Sequence, residues 1–137
     1  MFWRLALVLL LMLAAGVAAR QWRLHLDVQR GHTLYREGVL RARLAGDDSA
    51  LPGLATRCSN CHEPNAQGAF APVLNAATLT QAQARRGGPP SHYDEASLCK
   101  LLREGIDPAW VQIPRVMPRY EIDDQDCKAL WRYLTRR

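Results

Sequence analysis

Hydrophobic and polar positions divide the chain into an apolar start and a mostly polar remainder with helical spacing. Residues 5–19 form a run without charge, with Arg4 before it and Arg20 after it. Further along, apolar residues recur at intervals of three and four, which places them on one face of a helix. No strand-like run of any length occurs. The pattern therefore predicts an all-α protein of about four helices behind an apolar leader.

The leader, residues 1–19, has the features of a secretory signal peptide. Its apolar run is shorter than the roughly 20 residues that a membrane-spanning helix needs. The run ends in small residues, Val17-Ala18-Ala19, where a signal peptidase would cut. The alternative is an uncleaved anchor, and a buried core helix suits this terminal position poorly. Either main interpretation exports a single domain, residues 20–137.

Two helices are well marked by their ends. Asp94 is a predicted N-cap, residues 95–104 the helix, and Gly105 its C-terminal stop. The last helix begins after Asp123, with Asp126 in the capping-box position. An apolar stripe follows at helical spacing along that last helix, made of Cys127, Leu130, Trp131 and Leu134.

Two further helices are predicted in the first half of the domain. Residues 28–44 have a helical pattern with Gly31 and Gly38 as weak points, and the inward positions would be Leu34, Tyr35, Val39 and Leu44. A short helix begins within residues 55–62. Residues 64–90 are rich in Ala, Gly, Pro and Asn, so we expect a loop there with one helical turn at 79–86.

Composition limits the class of protein. The chain has 137 residues, 48% hydrophobic and 23% charged, which are ordinary values for one globular domain. A mostly disordered or collagen-like chain is excluded. Aromatic residues make up only 7%, so the core must be aliphatic or take apolar bulk from elsewhere. The net charge is +5, but the arginines are scattered and no nucleic-acid-binding motif is present, so we expect no nucleic-acid partner.

The candidate chemistry lies in the pentapeptide Cys58-Ser59-Asn60-Cys61-His62. Residues three apart share a helix face, so Cys58 and Cys61 can both add to the vinyl groups of one haem. His62 follows at once and can reach the iron. This spacing is the attachment signal of a c-type haem, which forms outside the cytosol. The rival interpretations are a thioredoxin-like redox pair without its βαβ context, half of a zinc site, and a structural disulfide.

Met117 is the candidate for the second axial iron ligand. It is the only methionine after the leader, and it lies between Pro114 and Pro118, which stiffen the segment. A lone methionine is otherwise an ordinary core residue. The rival sixth ligands are three histidines, and His92 is the strongest of these: His25, His32 and His92.

These motifs resemble the class I cytochromes c, in particular bacterial periplasmic monohaem domains. The resemblance covers residues 31–134 and rests on CSNCH at 58–62, on MPRY at 117–120 and on the final helix. It implies one haem c per chain, with Cys58 and Cys61 as thioether attachments and His62 and Met117 as iron ligands. It also implies that the terminal helices cross where Gly31 admits an aromatic residue. The protein would be a one-electron carrier between redox donor and acceptor proteins rather than an enzyme.

Two finer features follow from the resemblance. Pro72 matches the family proline whose carbonyl accepts the ring N–H of the proximal histidine, here His62. The helices that carry Cys99 and Cys127 both pack around the haem in the family, so an exported chain is expected to form a disulfide between them. The alternative is two separate buried thiols.

Other functions stay open at this point. A haem-based catalyst or gas sensor would have an open or labile sixth site. A cytochrome subunit of a membrane-bound dehydrogenase or oxidase would keep the leader as its anchor, and only then would a membrane be a partner. In every case we expect a periplasmic location.

Overall fold

The computed structural model of the chain describes residues 2–63 and 71–137. Within these ranges the chain is predominantly helical, which confirms the predicted fold class. In chain order the elements are α1 (Phe2–Glu37), β1 (Arg41–Arg43), a 3-10 turn (Gly53–Thr56), α2 (Ser59–His62), α3 (Ala76–Thr80), α4 (Glu95–Glu104), β2 (Arg119–Glu121) and α5 (Asp124–Leu134).

Helix α1 combines an exposed apolar half with a half that packs on the domain. The stretch Trp3–Glu37 is long and apolar enough to cross a membrane, and its most apolar window is not buried in the protein. A signal sequence near the N-terminus meets the same criteria of length and composition. Cleavage after residue 19 and the domain limits therefore stay predictions.

The second half of α1 crosses α5 at close range. A Cβ on Gly31 would overlap the carbonyl oxygen of Ala129 and lie 2.6 Å from Cβ of Tyr133. Tyr35, one turn further on, is fully buried, with its ring centroid 5.6 Å from that of Tyr133. The predicted crossing of the terminal helices is therefore present, and glycine is required at its centre.

Helix α4 has the predicted limits because both of its ends are capped. The Asp94 carboxylate accepts a 2.7 Å hydrogen bond from the backbone N–H of Ser97, and Gly105 closes the helix at φ +75°. Helix α5 also begins where predicted, with Asp123 as its N-cap. The predicted capping role of Asp126 is wrong: its carboxylate pairs with Arg30 of α1 instead.

The first helix differs from its prediction, and the prediction of no strands is wrong. The helix expected over residues 28–44 ends at Glu37, because Gly38 takes a left-handed backbone with φ +64°. The chain then forms β1, which pairs antiparallel with β2 so that Ala42 faces Tyr120. Val39, expected to point inward, is exposed. This pairing joins distant parts of the sequence, which a local pattern does not reveal.

The middle of the chain is more broken than expected. The helix predicted within residues 55–62 is divided into the 3-10 turn and the single turn of α2. The helical turn expected at 79–86 lies earlier, at α3, because Asn75 caps that helix and accepts from the N–H of Thr78. Residues 64–70 of the predicted loop lie outside the described residues.

Candidate functional site

The cysteine motif occupies a single helical turn. Cys58 is the N-cap of α2, and its carbonyl oxygen accepts from the backbone N–H of His62 at 3.1 Å. Cys58 and Cys61 are three residues apart in this turn and therefore lie on one side of it. Neither cysteine is in a disulfide, and both are half-buried. The structure thus presents two free thiols side by side, followed by His62.

The His62 ring is fixed from one side. The residue is buried, and its Nδ1 lies 2.7 Å from the carbonyl oxygen of Pro72. A carbonyl only accepts, so Nδ1 carries the proton and Nε2 has a free lone pair. Burial lowers the pKa of His62, and the bond to Pro72 offsets this in part. The contact expected between His62 and Pro72 is present, and it leaves a neutral imidazole ready to bind a metal.

Thr56 connects the cysteine motif with the rest of the fold. Its buried hydroxyl shares its one proton between the carbonyl oxygens of Gly38, at 3.1 Å, and Gly53, at 3.0 Å. Its own carbonyl oxygen accepts from the hydroxyl of Tyr120 at 3.1 Å. Nearby, the Asn60 side chain donates to the carbonyl oxygen of Leu54 at 2.6 Å. The Thr56 bonds hold the 3-10 turn against the end of α1 and against β2, and the Asn60 bond ties α2 to that turn.

The Cys58 thiol is in an apolar environment. Burial raises its pKa to about 11. A thiol with this pKa is protonated at neutral pH when no metal is bound, whereas the reactive cysteine of a redox pair has a lowered pKa. No cluster of three or more metal-binding side chains occurs among the described residues. The zinc and thioredoxin-like interpretations are therefore not supported.

Met117 lies at the end of a tight turn. Its backbone N–H donates to the carbonyl oxygen of Pro114 at 3.2 Å. Its side chain is half-buried and packs against the hydrophobic core. The three alternative histidines, in contrast, are all exposed: His25, His32 and His92. Among the described candidates for a second ligand, only Met117 packs against the core.

Arg119 and Tyr120 are site residues that the sequence did not single out. Arg119 is buried, and its guanidinium donates to the carbonyl oxygens of Met117 and Ile113. Burial lowers the pKa of Arg119. Arg119 belongs to MPRY at 117–120, but nothing in that motif indicates that this arginine, unlike the scattered surface ones, is buried. Tyr120 was visible only as part of the MPRY resemblance, and its bond to Thr56 depends on the pairing of β1 with β2.

The remaining two cysteines form a separate feature. Cys99 on α4 and Cys127 on α5 are both buried and joined by a disulfide, with their Cα atoms 5.6 Å apart. This spacing is normal for a disulfide. The predicted bridge is therefore present in the structure, and Cys58 and Cys61 are the only free thiols of the four cysteines.

The helical fold and the cysteine turn with its fixed histidine define a class I c-type cytochrome. The family model described as Cytochrome c matches residues 52–136, more than half of the chain, so the chain belongs to the cytochrome c family. No curated protein and no solved structure matches the chain significantly. Membership implies a covalently bound haem c and a role in haem-based electron transfer.

The residues of the site fit this cofactor. Two free thiols that can form thioether bonds and a neutral imidazole with a free Nε2 are the groups that a c-type haem requires. The buried Nε of Arg57, directly before Cys58, has no hydrogen-bond partner among the described residues. A buried donor without a partner is costly, and a group carrying carboxylates, as haem does, is able to satisfy it.

Proposed function

We propose that this chain is a periplasmic one-electron carrier with a single haem c, ligated by His62 and Met117. The bond between His62 Nδ1 and the Pro72 carbonyl carries the proposal, because it sets the tautomer that leaves Nε2 to bind iron. Cys58 and Cys61 would hold the porphyrin through thioethers. Pro72 acts on the iron only through His62, as a positioning residue.

Met117 is proposed as the second ligand on the basis of its surroundings. Its side chain packs on the core, and its backbone is held by a turn and by Arg119. The alternative histidines have no such support and are exposed to solvent. A thioether is a soft ligand that favours reduced iron and raises the reduction potential.

The ligand set explains why a carrier is proposed rather than an enzyme. The haem, when bound, supplies an iron that exchanges one electron between Fe(III) and Fe(II). Because His62 and Met117 would both be ligands, the chain offers no open position to a substrate. The partners are then a redox donor protein and an acceptor protein, which the basic net charge of +5 would help to attract if they are acidic.

A second candidate keeps the leader in place. Helix α1 continues without a break from the apolar residues 5–19 into the part that packs on α5. This continuity favours a membrane-anchored cytochrome subunit of a dehydrogenase or oxidase if residues 1–19 are retained. The haem domain would face the periplasm in both cases, and a membrane is a partner only in this second one.

Optical spectroscopy of the holoprotein tests the proposed ligation. The oxidised protein should show the weak far-red band of sulfur-to-iron charge transfer, and the reduced protein should bind carbon monoxide slowly. Met117→Ala should remove the band, lower the potential and open the site to carbon monoxide, while the haem stays attached. His92→Ala is the matched control and should change none of these. A high-spin parent that binds carbon monoxide rapidly would instead favour a sensor or catalyst.

A further inference from the structure

The turn that presents Met117 has little backbone support of its own. Pro114 and Pro118 have no N–H to donate, and the Met117 N–H bonds only back to the carbonyl of Pro114. Arg115 and Val116, between them, are exposed, and the Arg115 side chain donates to the carbonyl oxygen of Ala45 at 2.9 Å and 2.7 Å. These bonds to Ala45 are exposed to solvent, so buried contacts at the ends of the turn contribute more to keeping it closed.

Arg119 supplies that connection from the interior. One guanidinium nitrogen, Nη1, donates to the carbonyl oxygen of Met117 at 2.6 Å, and Nη2 donates to that of Ile113 at 3.3 Å. These carbonyls lie immediately before and at the end of the turn. No carboxylate forms an ion pair with Arg119 anywhere in residues 2–63 and 71–137. The buried positive charge of Arg119 is therefore hydrogen-bonded to two backbone carbonyls and not to a carboxylate.

Gly105 makes the space for this guanidinium. A Cβ at Gly105 would overlap the Cζ and Nε atoms of Arg119. Gly105 also closes α4 and accepts from the N–H of Ile113 at 2.9 Å. The end of α4, the guanidinium and the turn are therefore packed directly against one another.

We propose that Arg119 is a positioning residue for Met117, which holds both ends of the 113–117 turn and so keeps the thioether at the iron. The proposal rests on Met117 ligation, as proposed above. It predicts that loss of the two Arg119 hydrogen bonds lets the Met117 thioether leave the iron while the rest of the domain stays folded. Arginine is suited to the role because its planar fork reaches two acceptors at once, which lysine does not.

The first experiment compares Arg119→Gln with Arg43→Gln in the holoprotein. Arg43 faces Arg119 on the neighbouring strand and is exposed, and its side chain forms no hydrogen bond among the described residues, so its variant removes an equal charge. We expect Arg119→Gln to bind added imidazole at least about tenfold more tightly than the parent. Its far-red band should also disappear on heating before the helices unfold. Arg119→Lys should restore these properties only in part.

The second experiment leaves Arg119 in place and displaces it. Gly105→Ala adds a Cβ where the guanidinium lies, at φ +75°; Gly87→Ala adds one at φ +76°, where nothing lies within 4 Å. Both variants place alanine at a positive φ and so carry similar backbone strain. Any larger loss of the far-red band in Gly105→Ala is then due to the displacement of Arg119. Combining Gly105→Ala with Arg119→Gln should weaken the far-red band little more than Arg119→Gln alone, because the guanidinium that the new Cβ displaces is already absent.

The results separate this proposal from the one it rests on. A parent without the far-red band would refute Met117 ligation and this proposal with it. A parent with the band, whose Arg119→Gln variant matches Arg43→Gln in imidazole affinity and in band loss, would refute only the role of Arg119. If Arg119→Gln does not fold, the comparison of Gly105→Ala with Gly87→Ala decides, and equal behaviour of the two would overturn the proposal.

Discussion

The hydroxyl of Tyr120 donates a 3.1 Å hydrogen bond to the carbonyl oxygen of Thr56, across 64 positions of sequence. Tyr120 follows Met117 by three residues, and Thr56 precedes Cys58 by two. The bond therefore ties the segment of the proposed second ligand to the segment that attaches the haem. Both residues are buried, so water does not replace this bond when it is lost.

Tyr120→Phe should lower the free energy of unfolding of the holoprotein by about 1–2 kcal/mol, because it leaves the buried Thr56 carbonyl without its donor. Denaturant titration followed by circular dichroism measures this change. Tyr133→Phe is the control, since the Tyr133 hydroxyl forms no hydrogen bond among the described residues. Equal effects of the two substitutions would mean that the Thr56 bond contributes nothing specific.

Gly31→Ala should destabilise the domain, although alanine is the better helix former. The new Cβ would overlap the Ala129 carbonyl, which is backbone and cannot rotate away. The helices must then separate, at a cost of about 1–3 kcal/mol. Thr33→Ala, at an exposed position of α1, should be neutral or stabilising. A Gly31→Ala protein as stable as Thr33→Ala in thermal unfolding would contradict the close crossing.

The sequence predicts the features that depend on neighbouring residues. It does not predict the contacts between residues that lie far apart in the chain. The limits of α4 follow from Asp94 and Gly105, whose capping acts over a few residues, and the cysteine motif is equally local. Strand β1 was missed because its partner β2 lies far along the chain. The burial of Arg119 depends on the missing Cβ of Gly105, and no pattern in the sequence shows that these two residues meet.

The disulfide between Cys99 and Cys127 should stabilise the fold without affecting the iron. It closes a loop of 28 residues in sequence separation, which corresponds to about 3–4 kcal/mol in the chain-entropy model. The double variant Cys99→Ala and Cys127→Ala should lose most of this stability and keep the far-red band. Thiol labelling of the unreduced, denatured holoprotein should find no free thiol. Two labelled thiols per chain would show that the bridge does not form.

The fate of the leader distinguishes the soluble carrier from the anchored subunit. Cleavage after Ala19 should give a mature protein that begins at Arg20, or at a blocked Gln21, in the soluble periplasmic fraction. Mass spectrometry of the soluble and membrane fractions measures this directly. An intact Met1 in the membrane fraction would support the anchored subunit.

The unbroken course of α1 has a geometric consequence for a chain that retains its leader. The helix has 36 residues, so it is about 54 Å long, and each residue turns it by about 100°. The C-terminal half of α1 is fixed to α5 at Gly31. The apolar N-terminal half therefore connects the domain to the membrane as a rigid helix and not as a flexible linker. One residue inserted between Arg20 and Asp27 would rotate the whole domain about the axis of α1 by about 100° relative to the membrane-spanning part. The number of helical residues between the membrane and the domain thus sets which surface of the domain faces a partner in the same membrane, as well as how far the domain lies from the membrane.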